Sequence, residues 1–520
     1  MPTDDSNTGR VKTVGKNALY MYMRTFLITI VSLYTTRVVI DALGIQSFGL
    51  YSAVSGLVIL IQSLSLSLST ASQRFLSYSI ALNSKNDIRE DYWSVLFIFI
   101  LFSCFILILA ETLGLWFVAN KLTIPPDRHN SVLIIFQITL LSSLVHFMTT
   151  PFLSLLISHE DVSFYAYTSL IEAGLKLLVA FLIKTATLYD KLVLYSILLL
   201  LVSIIVYVIY FLVCKRRYSQ ILAFSERPRL HIYKLKSIFS FSSWTFIGGI
   251  AGTANTQGVN LLLNMFFGTI ANAAYAVSVQ INVAIQLISN NLFLALRPAI
   301  IKSYAREDHS FTRRLFYLSN KVCLILLLTI CIPLWLEVPS VLKIWVGSVE
   351  EYMISFSRLF IVYSILLALS NPFTIIVQAC NEVKKYHLIV DGFALLSLPI
   401  SYILLKNGAP AEIPLICVVF IMMVANFIRL WYVARIYPEI KVSDFLLAFL
   451  IPSSFYITLS FVTCYFISHW VSQTPSYTSI ALVALFSLIF TSLLGFRLLL
   501  KKSERRTILK FISANRFFAH

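Results

Sequence analysis

Residues 43–81 read LGIQSFGLYSAVSGLVILIQSLSLSLSTASQRFLSYSIA, and residues 267–305 read FGTIANAAYAVSVQINVAIQLISNNLFLALRPAIIKSYA. Offset by 224 positions, the two align without a gap. The match pairs Gly44 with Gly268, Tyr51 with Tyr275, Ile61 with Ile285, Gln62 with Gln286 and Ser65 with Ser289. Leu68 with Leu292, Ala71 with Ala295, Ser79 with Ser303 and Ala81 with Ala305 complete it. Apolar segments of biased composition share some residues by chance. A gapless register that keeps Gly, Tyr and Gln in place is the mark of a duplicated unit. Each copy is also long enough for a hydrocarbon layer about 30 Å thick, which takes about 20 apolar residues in a helix. A weaker echo lies further out: Pro151 and Pro372 each interrupt an apolar run, followed by the short polar loops SHED and CNE.

The rest of the chain has the same character. Of 520 residues, 58% are hydrophobic and 12% charged, with mean hydropathy +0.83. A water-facing domain carries about 25% charged residues, so this composition belongs to an all-α integral membrane protein. About fourteen spans are expected, at 19–42, 48–79, 94–118, 132–157, 164–184, 192–214, 239–266, 272–301, 315–342, 353–379, 387–406, 412–434, 445–469 and 479–500. The basic stretch KRRYSQILAFSERPRLHIYKLK divides them six before and eight after. The expected organisation is an N-terminal lobe at 1–214, a basic connector at 215–237, a C-terminal lobe at 238–436, an added helix pair at 437–500 and a basic tail at 501–520. A six-span unit starts and ends on one side, so its copy keeps the same orientation. The two lobes are then related by an axis along the membrane normal, with the path for a polar solute between them.

The net charge of +17 raises the question of nucleic acid, but its distribution excludes that partner. Lys and Arg gather in alternate loops, most densely in the connector and the tail. This bias places both termini in the cytoplasm. Membrane lipids are the secondary partner such basic segments suit. The first apolar run lacks a small-residue cleavage site and is expected to be a retained helix. The seven cysteines form no CxxC or zinc spacing, and the eight histidines form no metal-spaced cluster, so no metal or other cofactor is expected.

Charges and amides inside the spans mark candidate sites, because an unpaired charge in hydrocarbon costs at least ~2.5–3.5 kcal/mol. Thr253, Gln257, Asn260 and Asn264 share one face of span seven at intervals of four, three and four. Gln62, Ser65, Ser69 and Ser72 do so in span two, near Arg74. Span eight carries Gln280, Asn282, Gln286, Ser289, Asn290 and Asn291, then Arg297. Small polar groups also serve as hydrogen-bonding contacts between membrane helices, which is the alternative for each stripe. Arg37 and Asp41, four apart on span one, can pair with each other, as can Glu172 and Lys176 on span five. Arg74 and Arg297 can instead snorkel to headgroups. Arg358, Asp391 and Arg429 are single charges near span ends. Gly248, Gly249 and Gly252, with the two prolines, are candidate bending points.

The opening helix YMYMRTFLITIVSLYTTRVVIDALG, the repeat that follows it, and its second-half counterpart WTFIGGIAGTANTQGVNLLLNMFFG resemble bacterial polysaccharide-biosynthesis flippases. These are the O-antigen, Wzx-like lipid-linked oligosaccharide branch of the multidrug/oligosaccharidyl-lipid/polysaccharide (MOP) exporter superfamily. The resemblance implies a MATE/MOP-like fold of two six-helix lobes in a V around a central cavity, with two further C-terminal helices. It implies a non-enzymatic flippase moving an undecaprenyl-diphosphate-linked oligosaccharide to the periplasmic leaflet of the bacterial inner membrane, serving polysaccharide polymerase machinery. The implied diphosphate-binding cations are Arg37, Arg74 and Arg297, and the implied polar cavity contacts are Gln62, Gln257, Asn260, Asn264, Gln286 and Asn290. Glu172 and Asp391 are the candidates for coupling to a Na+ or H+ gradient. The alternatives are a cation-coupled multidrug exporter of the same fold and a membrane polysaccharide polymerase or acyltransferase. Few mid-span acids stand against the first, and the absence of an HxxxxD motif or a long periplasmic loop stands against the second.

Overall fold

The computed structural model describes residues 5–62, 64–81, 85–159, 161–187, 190–222, 232–380, 382–471, 477–502 and 504–505. Among them there are only helices and the turns that join them. Among the described residues, twelve helices are long and apolar enough to cross a membrane, as the composition requires of a multi-pass membrane protein.

The expected spans of the two repeat copies fall on helices as well. The expected span 48–79 falls on the helices Ile45–Gln62 and Leu64–Ala81. The spans expected at 239–266 and 272–301 are two helices within Ile232–Ala305 that meet at a kink at Gly268 (φ 74°, ψ −160°). Gly44, its partner in the repeat, heads the first copy with φ +79°. Both glycines sit in a backbone region that a side chain disfavours, so the shared glycine has a physical reason.

Close helix approach explains a further glycine. A Cβ on Gly49 would overlap the Thr269 carbonyl oxygen and lie 2.9 Å from its carbon, so no side chain fits there. Pro151 does not interrupt its helix, which runs unbroken over His129–Ser158. Protein and water can satisfy the carbonyl a membrane proline frees. Pro372 behaves as expected: the helix Met353–Ala368 stops before it, and Asn371–Ala379 begins with proline in its first turn, where no N–H is missed.

Two compact units emerge, 1–276 with 398–414, and 277–397 with 415–520. In the first, the helix Asp5–Leu43 packs along Val162–Thr185, and His129–Ser158 packs along Lys191–Arg217. One apolar core surrounds Phe99, Phe136 and Phe147, and a second gathers Tyr92, Phe152 and Tyr210. In the second unit, the helices Ile451–Val471 and Tyr477–Leu498 pack on each other and on His309–Leu336. The Tyr456 hydroxyl donates to the Thr491 carbonyl at 2.9 Å, fastening the last two helices together.

Candidate functional site

In the first unit, Asn264 and Asn272 stand four residues before and after Gly268, facing each other across the turn. Asn264 Nδ2 donates to Asn272 Oδ1 at 2.7 Å, and its Oδ1 accepts the Thr123 backbone N–H at 2.8 Å. Asn272 Nδ2 donates to both the carbonyl and Oδ1 of Asn260 at 2.7 Å, while Asn260 Nδ2 donates to the Ser52 carbonyl at 3.0 Å. All three asparagines are buried. Asn260 and Asn264 therefore fall together, in a network that spends their amides on neighbouring backbone and side chains. Asn272, which sequence reasoning did not single out, is its centre. Gln257, on the same face, is half-buried, its Oε1 2.6 Å from where a Gly56 Cβ would stand.

The Gln62 side chain lies outside the described residues. Arg37 and Arg74 are both exposed. Asp41 pairs with Lys184 of the neighbouring helix at 3.8 Å. Glu172 and Lys176 do pair, at 2.7 Å. Another contact was missed: Arg24 lies 4.2 Å over the Tyr165 ring and donates to the Tyr165 hydroxyl at 2.9 Å and to Ser169.

In the second unit, the polar stripe of span eight faces the helix Met353–Ala368. Ser278 meets Ser357 at 3.1 Å, Ser364 donates to Asn282 at 2.7 Å, and Gln286 donates to the Ser364 carbonyl at 2.9 Å. Asn290 and Arg297 are exposed. Asp391 Oδ2 accepts from His387 Nδ1 at 2.6 Å, one helical turn earlier.

The most consequential group here is Arg429, in the helix Ile413–Ile436. It is 6% exposed. Its Nε donates to the Tyr386 hydroxyl at 3.0 Å, and its Nη1 donates to Asn426 Oδ1 at 3.0 Å and to Met422 Sδ at 3.5 Å. Every one of those acceptors is neutral. Arginine does not give up its proton in a protein, so a permanent positive charge stands inside a membrane-spanning helix with no carboxylate beside it among the described residues.

The fold defined by these helices is that of the MATE and MOP transporters. The chain is similar to a multidrug resistance MATE family transporter of the MOP superfamily in its inward-facing conformation, with TM-score 0.69 and 15% identity over 81% of this chain and 99% of that one. It is similar to the lipid II flippase MurJ in an inward closed conformation, with TM-score 0.70 and 14% identity over 92% of this chain and 99% of that one. An outward-facing MATE family transporter matches with TM-score 0.59 and 15% identity over 82% of this chain and 97% of that one. No protein-family model matches the chain, and no curated protein matches its sequence.

Proposed function

We propose that this chain is a flippase that moves an undecaprenyl-diphosphate-linked oligosaccharide from the cytoplasmic to the periplasmic leaflet of a bacterial inner membrane by alternating access. The observation that carries this reading is Arg429, a buried guanidinium bonded only to neutral groups. Burying a lone cation costs several kcal/mol, and an anionic cargo is what offsets it. Arginine suits a diphosphate because its planar fork makes paired, charge-assisted hydrogen bonds. The diphosphate and its sugars cannot cross hydrocarbon unaided, whereas a polyprenyl tail already belongs there.

In this reading, the exposed Arg37, Arg74 and Arg297 contact the diphosphate, and Gln62, Gln257, Gln286 and Asn290 contact sugar hydroxyls. Asn260 and Asn264 support the frame that holds them. Both termini face the cytoplasm, and a polysaccharide polymerase takes the product. The likeness to MurJ covers more of the chain than the likeness to MATE transporters, by about the length of two helices. That margin favours a lipid-linked cargo.

A second reading, a cation-coupled multidrug exporter, draws on the MATE likeness and on the His387–Asp391 pair, 2.6 Å apart inside a span. Complementation of surface polysaccharide in a flippase-deleted strain separates the two. Arg429→Ala should abolish export and Arg429→Lys should restore part of it, both at normal membrane abundance. Full complementation by Arg429→Ala would remove the anionic cargo. Drug resistance conferred by the chain and lost in Asp391→Asn would establish the exporter.

A further inference from the structure

At the end of the second unit that bears the C-terminal tail, a cavity of about 630 Å³ opens between the start of the helix His309–Leu336 and the segments around residues 439–448 and 501–504. Arg313, Arg314, Lys321 and Lys501 line it, against the carboxylates of Glu439 and Glu504. The floor is unusual for a membrane protein. Lys321 is 2% exposed and donates to both oxygens of Glu504, at 3.2 and 3.0 Å. This buried pair ties the tail to the helix and is neutral. Arg313 is shared with Asp444 at 2.6 Å. Lys501 has no ion-pair partner among the described residues. The balance of the lining stays positive.

One lining group is left unfinished. Tyr317 is 8% exposed, and its buried hydroxyl has no acceptor among the described residues; the Arg313 guanidinium beside it is itself a donor. The Arg313 guanidinium stands 5.9 Å from its ring centre. A buried hydroxyl without a partner costs about 1–3 kcal/mol, so such a group is normally completed by something that enters. What it meets here is a ring of cationic donors, so the missing partner is an acceptor carrying negative charge. Phe311 and Leu447, next in sequence to the lining residues Ser310 and Ala448, are large apolar side chains exposed at 44% and 67%.

We propose that this cavity binds a phosphate group, with Tyr317, Arg313, Arg314 and Lys501 as its donors and the Lys321–Glu504 pair as its fixed floor. The phosphate comes from an anionic lipid headgroup or from a soluble phosphate. The site lies wholly within the second unit and does not depend on the transport reading. Removing Lys321 or Glu504 would strand a buried charge and risk misfolding. The exposed Arg314 and Lys501 are the residues to change, as the Arg314→Gln, Lys501→Gln double variant.

The test is thermal unfolding of the full-length chain in neutral detergent, with inorganic phosphate, phosphatidylglycerol or phosphatidylcholine added. A rise in Tm with phosphatidylglycerol alone, its concentration dependence shifted about tenfold or more in the double variant, supports a lipid headgroup. The same pattern with inorganic phosphate supports a soluble source. Tyr317→Phe keeps the ring and should weaken whichever ligand binds while leaving the unliganded Tm unchanged or higher. No stabilisation by either anion, or equal stabilisation of parent and double variant, overturns the proposal.

Discussion

Asn272→Ala tests whether the asparagine cluster beside Gly268 is framework or cargo contact. The substitution deletes three buried hydrogen bonds, two donated to Asn260 and one accepted from Asn264, each 2.7 Å long. It leaves the Asn264 amide without that acceptor and Asn260 Oδ1 without that donor. Hydrogen bonds between membrane helices are worth about 0.6 kcal/mol on average and up to about 1.7. Three of them set the expected loss at about 2–5 kcal/mol, with burial favouring the upper part of the range. The assay is thermal or denaturant unfolding in detergent, read beside steady-state abundance in the membrane. A cycle with Asn260→Ala sharpens it, because both variants delete the bond from Asn272 Nδ2 to Asn260 Oδ1, while the Asn260 carbonyl survives in the second. The double variant should therefore cost about 0.6–1.7 kcal/mol less than the two singles added together. Transport should fall only as abundance falls. An Asn272→Ala protein as stable as the parent but unable to transport would refute the framework argument and return the cluster to the cargo.

Two further outcomes follow from other places in the first unit. Gly49→Ala drives a methyl group into the Thr269 backbone, so the helices must separate; overpacking of this kind costs about 1–3 kcal/mol, seen as a lowered Tm, while Gly174→Ala, where nothing lies within 4 Å, should leave Tm unchanged or raised. Asp190 caps the helix Lys191–Arg217 by accepting from the Leu192 and Val193 N–H groups, and its removal as Asp190→Ala should cost about 1 kcal/mol. Burial alone would raise the Asp190 carboxyl, but the Ser131 hydroxyl, the two N–H groups and the Arg128 guanidinium outweigh it and hold it below the usual carboxylate range. Its folded pKa is thus depressed. The Tm advantage of the parent over Asp190→Asn should be full above the unfolded value of about 3.9 and shrink as pH falls through the folded one. An advantage that grew on acidification would contradict the assigned partners.

The membrane class, the helical fold and the glycine at the head of each repeat copy were legible because hydropathy, helix length and positive φ are local properties. The pairing of charges was not. Asp41 looks ready to join Arg37 one turn away, yet Lys184, 143 residues on, takes it because the first helix packs against the fifth expected span. Arg429 reads in sequence as one more charge near a span end. What makes it matter is the neutrality of Tyr386 and Asn426, which only packing reveals. Lys321 stood in plain view as a lone lysine in an apolar run, but its counter-ion lies 183 residues away, in the tail. Asn260 and Asn264 were rightly seen to share a face, and sequence could not tell that Asn272 would turn back to meet them.

The inclusion of residues 398–414 in the first unit bears on how the chain is made. Leu398 lies 2.7 Å from where a Gly258 Cβ would stand, and Tyr402 sets its ring edge-on to Phe266 at 5.9 Å. A ribosome must deliver some four-fifths of the polypeptide before the earliest-made body has all its walls. Until then, the first helices wait in the bilayer with a flank uncovered, held by the insertion machinery or by lipid. The two bodies cannot mature one after the other like beads leaving a thread; the closing of the first is deferred until about half of the second has been made.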